Sequence, residues 1–366
     1  VQTGDDTHIW QMNDTRKCLV TFTPDAATYG DTYETTVVEV TPTIAPRPIT
    51  IKVADIHKVY NVPFKGIEDL TFEIATGADG KSPLVGNDTQ DTIKATLALV
   101  TDNKLATEGI ADAGTYAFHV TSTSSDYKVS VEYYENLTDQ TKKDEGSIVI
   151  TKATGTIKTL TEFKKTQDVR YEYDGDYATF NLGVEAGHKE SALQYTITDA
   201  KKANGDPITD VAEIANKLLS ISADGIVTIK GAGSATITIS LPESTNYTEA
   251  DPLTVEVNIA KAYSNPPNIY RDFLFLRGGS DSIDLAALLP KDCGGVTYGV
   301  VKTSDSKSIL EGTPTLSQDG KLSYAIKAGG AVGDEATITV PVSTANYEIN
   351  TNQGILVVIK LIDQMP

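Results

Sequence analysis

The stretch Ala235-Thr-Ile-Thr-Ile-Ser-Leu-Pro-Glu-Ser-Thr-Asn-Tyr-Thr-Glu-Ala-Asp-Pro-Leu-Thr-Val-Glu-Val-Asn-Ile-Ala-Lys-Ala262 decides the reading of this chain, because related stretches occur three more times. Ile237 and Ile239 alternate with Thr236, Thr238 and Ser240, and Leu253, Val255, Val257 and Ile259 alternate with Thr254, Glu256 and Asn258. A period of two marks strands with one buried and one wet face, so the stretch reads as two strands around an Asn-Tyr loop. The same order returns as Val20 to Tyr29 before Thr36-Val-Val-Glu-Val40, as Tyr116 to Tyr127 before Ser147 to Ala153, and as Ala336 to Tyr347 before Ile355 to Ile359. Each copy reads as the end of one domain.

The loop tyrosines at 29, 127, 247 and 347 are 98, 120 and 100 residues apart. That period is the size of an immunoglobulin-like sandwich and too long for a solenoid unit. The expected fold is all-β, with tandem immunoglobulin-like β-sandwiches in an elongated array. Four segments follow: 1–46, holding only the C-terminal strands of a domain; 47–153; 154–262; and 263–366. The Pro-rich stretch Thr41 to Pro48 and the Lys261 to Pro267 stretch read as short, stiff connectors.

Local turn chemistry sharpens this reading. Asp224-Gly225 and Asp319-Gly320 stand between alternating runs, where residues tolerant of positive φ close hairpins. Asp210 before Val-Ala-Glu-Ile-Ala-Asn-Lys217 is placed to cap one or two helical turns. The segment from Val129 to Gly146 reads as an insertion, with an extra strand Val129-Ser-Val-Glu-Tyr-Tyr134 and a charged loop, and loops that depart from a repeat carry recognition. Trp10 is expected in a core.

Over 47–153, Ile49-Thr-Ile-Lys-Val53, Lys58-Val-Tyr-Asn61, Gly114-Thr-Tyr116, Asp126-Tyr127 and Ile150-Thr-Lys-Ala153 resemble the MBG-type repeat of bacterial surface proteins. The Asp-Gly and Gly-Ala-Gly order of 221–239 resembles bacterial immunoglobulin-like domains more generally. Asn61 departs from the glycine usual in the repeat, and asparagine also tolerates a left-handed turn. The resemblance implies an exported or surface-displayed bacterial protein, and intramolecular Lys-Asn isopeptide bonds occur in some surface domains of this kind, although no trio of residues is singled out here.

The chemistry-bearing residues are sparse. A formal charge of −19 argues against nucleic acid and anionic membrane surfaces. No apolar run reaches the roughly 18 residues of a membrane span. Cys18 and Cys293 fall in different segments and are expected as lone, small buried residues rather than a disulfide or zinc site. His8, His57, His119 and His188 are scattered, and no nucleophile elbow or phosphate loop occurs, so no enzyme activity is expected. Glu172, Asp174 and Asp176, or Asp79, Asp88 and Asp91, could offer oxygens to calcium, but turn aspartates bonding their own backbone are the simpler reading. Tyr133, Tyr134, Tyr171 and Tyr173 are the candidate ligand platforms, and the Asn-Tyr loops are expected to pin the last two strands of each domain together.

The expected function is a non-catalytic stalk or spacer of a cell-surface or secreted adhesin-like protein, acting as a monomer. The alternatives are a module binding a glycan or a host or matrix protein, and an accessory region of a secreted carbohydrate-active enzyme. Neither terminus carries a signal or anchor, and 1–46 holds only the last strand pair of a repeat, so a fragment of a longer protein is expected.

Overall fold

The computed structural model describes residues 17–29, 32–41, 43–101, 103–349 and 354–363. His8 and Trp10 lie outside the described residues. The chain divides into two compact units, one made of Val1–Thr154 with Ser244–Thr248, the other of Gly155–Glu243 with Glu249–Pro366. The fold is all-β, built of tandem immunoglobulin-like sandwiches.

Unit 1 begins with an antiparallel hairpin in which Cys18–Phe22 pairs with Thr36–Val40, Cys18 opposite Val40. Its apolar residues, Leu19, Phe22 and Val37 among them, are exposed. A sandwich follows. One sheet has the strand order Ile56–Val59, Gly146–Thr151, Gly114–Ser122, Leu97–Thr101. The other has Phe72–Ile74, Arg47–Ala54, Tyr127–Tyr134. The inward residues of both sheets, with Ile51, Val53, Phe118 and Ile148 at their centre, form one core. Gly146 is required here, because a Cβ would lie 2.3 Å from the ring of the fully buried Phe118. A helical turn, Gln90–Lys94, closes the core with Ile93, and Thr89 and Thr92 cap it reciprocally.

Unit 2 holds two sandwiches with the same plan. In the first, a sheet ordered Thr166–Arg170, Leu253–Ala260, Gly233–Ser240, Gln194–Lys202 faces one ordered Thr179–Asn181, Ile226–Ile229, Leu219–Ile221. In the second, Ile269–Leu274, Ile355–Ile362, Glu335–Val340, Lys302–Ser304 face Gly279–Asp284, Lys321–Ile326, Thr315–Leu316. Asp224-Gly225 and Asp319-Gly320 close hairpins as their chemistry predicts, with Gly225 at φ +73° and Gly320 at +91°. Asp210 caps Val211–Lys217, its Oδ1 accepting from Glu213 N at 2.6 Å.

One feature is common to all three sandwiches. An early strand lies parallel to the closing strand: Ile56 opposite Ile148 through Val59 opposite Thr151, Thr166 opposite Glu256 through Arg170 opposite Ala260, and Ile269 opposite Val357 through Leu274 opposite Ile362. Because this early strand and the closing strand run the same way, the chain passes along each four-stranded sheet in the same direction near its start and at its end.

The segment 129–146 is not an appendage. Its strand pairs with Arg47–Ala54 in parallel along its whole length, Arg47 opposite Tyr127 through Ala54 opposite Tyr134, so it completes the second sheet. The loop after it is fastened too. Lys143 N donates to Tyr133 O at 2.8 Å, and Lys143 Nζ reaches the Asp55 carboxylate, whose Oδ1 accepts from Ser147 N at 2.9 Å.

Candidate functional site

The four tyrosines proposed as platforms do not form one surface. Tyr133 and Tyr134 lie in unit 1, Tyr171 and Tyr173 in unit 2. Tyr133, Tyr134 and Tyr171 are 7%, 4% and 0% exposed, which removes their ring faces from any ligand. Consecutive strand residues face opposite sides, and both sides are covered here. The Tyr133 ring meets Phe118 edge-on and its hydroxyl accepts from Val120 N at 2.8 Å. The Tyr134 hydroxyl donates to Glu132 Oε2 at 2.9 Å and its ring lies near Lys52 Nζ. Tyr173 is partly buried and leans on Tyr177, with ring centroids 5.1 Å apart.

The metal and catalytic candidates are equally dispersed. Among the described residues no three His, Cys, Asp or Glu side chains gather as a metal site would need. Asp88 accepts from the Tyr127 hydroxyl at 2.6 Å, Asp79 from Lys81 N at 3.1 Å, and Asp174 from Asp176 N at 3.3 Å, the last two as turn aspartates. His119 is an exposed strand residue 3.5 Å from Glu145. Both cysteines are free thiols, half-buried rather than buried. No helix of the described residues is long and apolar enough to cross a membrane.

What the fold does assemble is built on the Asn-Tyr loops, and it occurs twice. In unit 2, Asn346 is 7% exposed and uses every group it has. Its Oδ1 accepts from Ala232 N at 3.0 Å, its Nδ2 donates to Asp292 O at 3.0 Å, its N donates to Cys293 O and its O accepts from Ala262 N at 2.9 Å. Asn346 thus ties the loop of the second sandwich in this unit to the first sandwich and to the connector between them. Gly231 leaves the room for this, since a Cβ there would lie 2.0 Å from Lys217 O and 3.1 Å from Asn346 Oδ1. Next to it, Tyr347–Ile349 pairs in parallel with Ala262–Ser264. The Tyr347 ring meets the fully buried Tyr171 edge-on, centroids 5.6 Å apart. The Tyr171 hydroxyl donates to Asp292 Oδ2 at 2.6 Å. Burial, then this bond to a carboxylate, pushes the Tyr171 pKa far up and keeps the hydroxyl protonated.

In unit 1 the segment Ser244–Thr248 makes a related set. Asn246, 4% exposed, accepts at Oδ1 from Ala113 N at 2.7 Å, donates from Nδ2 to Asp112 Oδ1 at 3.0 Å, and accepts at its carbonyl from Ala153 N at 2.9 Å. Tyr247 meets Tyr60 edge-on at 5.4 Å and accepts at its hydroxyl from Asn61 Nδ2 at 2.7 Å. Asn61 holds φ +70°, the left-handed turn its residue type allows, and its amide gains this second use. The two sets correspond at Oδ1, at the asparagine carbonyl and in the tyrosine pair, and differ at Nδ2, which meets a backbone carbonyl in unit 2 and the Asp112 carboxylate in unit 1. Ala113 and Ala232 each precede the strand that pairs antiparallel with the closing strand, and Tyr60 and Tyr171 each follow the strand that lies parallel to it. Each loop is also set internally, with Tyr127 N, Tyr247 N and Tyr347 N donating to the hydroxyls of Ser124, Ser244 and Thr344 at 3.0–3.1 Å.

The loops therefore do more than hold two strands of one domain together. The Ser/Thr-x-Asn/Asp-Tyr spacing was visible in the sequence, but its partners lie far along the chain; Asn346 and Ala232 are 114 residues apart.

Beside the Asn346 clasp, unit 2 opens into a groove of about 640 Å³. Lys202, Lys217, Lys230 and Lys261 line it, with Glu213, Asp292 and the Tyr177 ring. Sequence reasoning missed it because its walls come from strands, a helix and a loop distant in the chain.

No family model matches this chain, and no curated protein matches it. Among solved structures it is similar to Drosophila N-cadherin EC1-3, at 11% identity over 85% of this chain and 98% of that one, with a TM-score of 0.26. It is similar to domains 1–6 of the surface layer protein SbsC, at 14% identity over 96% of this chain and 45% of that one, with a TM-score of 0.24. The endo-fucoidan hydrolase MfFcnA4 from glycoside hydrolase family 107 gives 11% identity over 88% of this chain and 43% of that one, with a TM-score of 0.27. The chain spans less than half the length of the hydrolase and of the surface layer protein fragment.

Proposed function

We propose that this chain is a non-catalytic, load-bearing spacer of a bacterial cell-surface or secreted adhesin-like protein, made of bacterial immunoglobulin-like repeats of which 47–153 is MBG-type. One observation carries the reading: in each sandwich an early strand lies parallel to the closing strand. Tension on the two chain ends then slides these strands along each other, loading all the ladder hydrogen bonds at once, whereas an antiparallel hairpin pulled at its open end breaks its bonds one by one. The arrangement suits a protein pulled through its termini. The clasp supports it, because a buried asparagine and a tyrosine pair fix a connector that would otherwise swing.

The test is to pull the full chain by its termini in a single-molecule force experiment. Three unfolding events are expected, each at a force well above that of an unzipping hairpin. Val358→Pro removes a donor from the parallel ladder of the last sandwich, where Val358 lies opposite Tyr270, and is expected to weaken one event only. Sandwiches that give way at the load of an unzipping hairpin would overturn the reading.

A further inference from the structure

The groove of unit 2 has a charge that the rest of the chain does not share. The protein as a whole carries −19, yet four lysines face this cavity against two carboxylates. Both carboxylates are already engaged. Glu213 lies between Lys202 Nζ at 3.3 Å and Lys217 Nζ at 3.6 Å. Asp292 accepts the Tyr171 hydroxyl, and its bond to the Tyr177 hydroxyl raises that group's pKa as well. Lys202 and Lys217 share the Glu213 carboxylate, and neither of the other two lysines pairs with an acid among the described residues. Lys230 Nζ donates to Ala215 O at 2.8 Å and Lys261 Nζ to Thr344 O at 2.6 Å, and an ammonium has three donors, so N–H groups of both remain for a ligand.

The remaining lining selects among anions. Asn204, Asn216, Thr297 and Ser343 offer amides and hydroxyls, the groups that exchange hydrogen bonds with sugar hydroxyls, and the Tyr177 ring offers an apolar face. A volume of about 640 Å³ lies within the roughly 300–1,000 Å³ of small-molecule sites, enough for a short oligosaccharide. A long phosphate backbone would instead run beyond the groove across an acidic protein.

We propose that this groove binds an acidic oligosaccharide, its carboxylate or sulfate groups held by Lys202, Lys217, Lys230 and Lys261 and its hydroxyls by the asparagines, Thr297 and Ser343. The floor of the groove includes Ala232, Thr344 and Asn346, so a bound sugar chain touches both sandwiches of unit 2 and the clasp that ties them. The spacer would then also attach to uronate-bearing or sulfated glycans. This site is independent of the force-bearing role, since charge and shape define it.

The test is calorimetric titration of the full chain with three probes: an oligogalacturonate, a heparin-derived oligosaccharide and maltohexaose as neutral control. Saturable binding of either acidic probe, weakening with added salt and absent for maltohexaose, is expected; the acidic probe preferred tells carboxylate from sulfate. Lys202→Glu with Lys217→Glu is expected to weaken binding roughly tenfold or more, as two reversed charges of ordinary surface strength would. Ser343→Trp, which fills the groove without changing its charge, is expected to weaken it comparably, and circular dichroism checks that both variants fold. Three results would overturn the proposal: no binding of either acidic probe, binding unchanged in both folded variants, or tighter binding of a poly-glutamate peptide than of any sugar. Weak sandwiches under force with intact sugar binding would remove the spacer reading and leave the groove standing.

Discussion

Replacing Asn346 by alanine removes one side chain and orphans a group that no other residue reaches. The amide oxygen accepts from Ala232 N at 3.0 Å and the amide nitrogen donates to Asp292 O at 3.0 Å. Ala232 is 7% exposed, so its N–H has little access to water, whereas Asp292 is exposed and its carbonyl can be rehydrated. The loss is therefore dominated by one unsatisfied buried donor, worth about 1–3 kcal/mol, plus a net hydrogen bond of about 1 kcal/mol. A total of about 2–4 kcal/mol corresponds to roughly a 30- to 900-fold change in the opening equilibrium at 25 °C. The assay is hydrogen–deuterium exchange of the full chain, read at the amides of Ala232, Ala262 and Asn346. Those three are expected to exchange faster by that factor in Asn346→Ala, while the amides of the two sandwich cores in unit 2 keep their protection. Core strand amides that speed up as much as Ala232 would show that Asn346 supports the sandwiches themselves. Unchanged exchange at Ala232 would refute the clasp outright.

Two further predictions concern pH. Burial works against ionisation of the Asp69 carboxylate, but Lys58 Nζ at 2.6 Å and the Lys65 backbone N–H outweigh it, and its pKa lies below the ordinary value. A depressed carboxylate contributes stability that is complete above its unfolded pKa of 3.8 and is lost as pH falls through the lower folded value. Acid titration of unit 1 stability is expected to show this loss below about pH 4, and Asp69→Asn should flatten that part of the curve; an unchanged slope would sink the assignment. Tyr171 has the opposite sign, its pKa raised by burial and the Asp292 bond, so its contribution is complete below its unfolded pKa of 10.0 and declines as pH rises beyond it. Denaturation of unit 2 above about pH 10 should be less steep in Tyr171→Phe, and equal steepness in the two proteins would count against it.

The local features were readable from the sequence for a physical reason: their causes are local. Alternation of Ile237, Ile239, Val255 and Val257 with polar neighbours places one strand face inward whatever the partner strand is, and all four are buried. Asp-Gly closes a hairpin through its own φ preferences, and Asp210 caps a helix three residues away. Tertiary structure decided everything that depends on which surfaces meet. Tyr133 and Tyr134 read as exposed because their segment departs from the repeat, yet pairing with Arg47–Ala54, some 80 residues away, covers both rings. Asn246 and Asn346 stand in polar loops with no local signal of burial. They are buried because the backbone N–H groups of Ala113 and Ala232 lose water where the loops dock, and a side-chain amide is the group that can replace it.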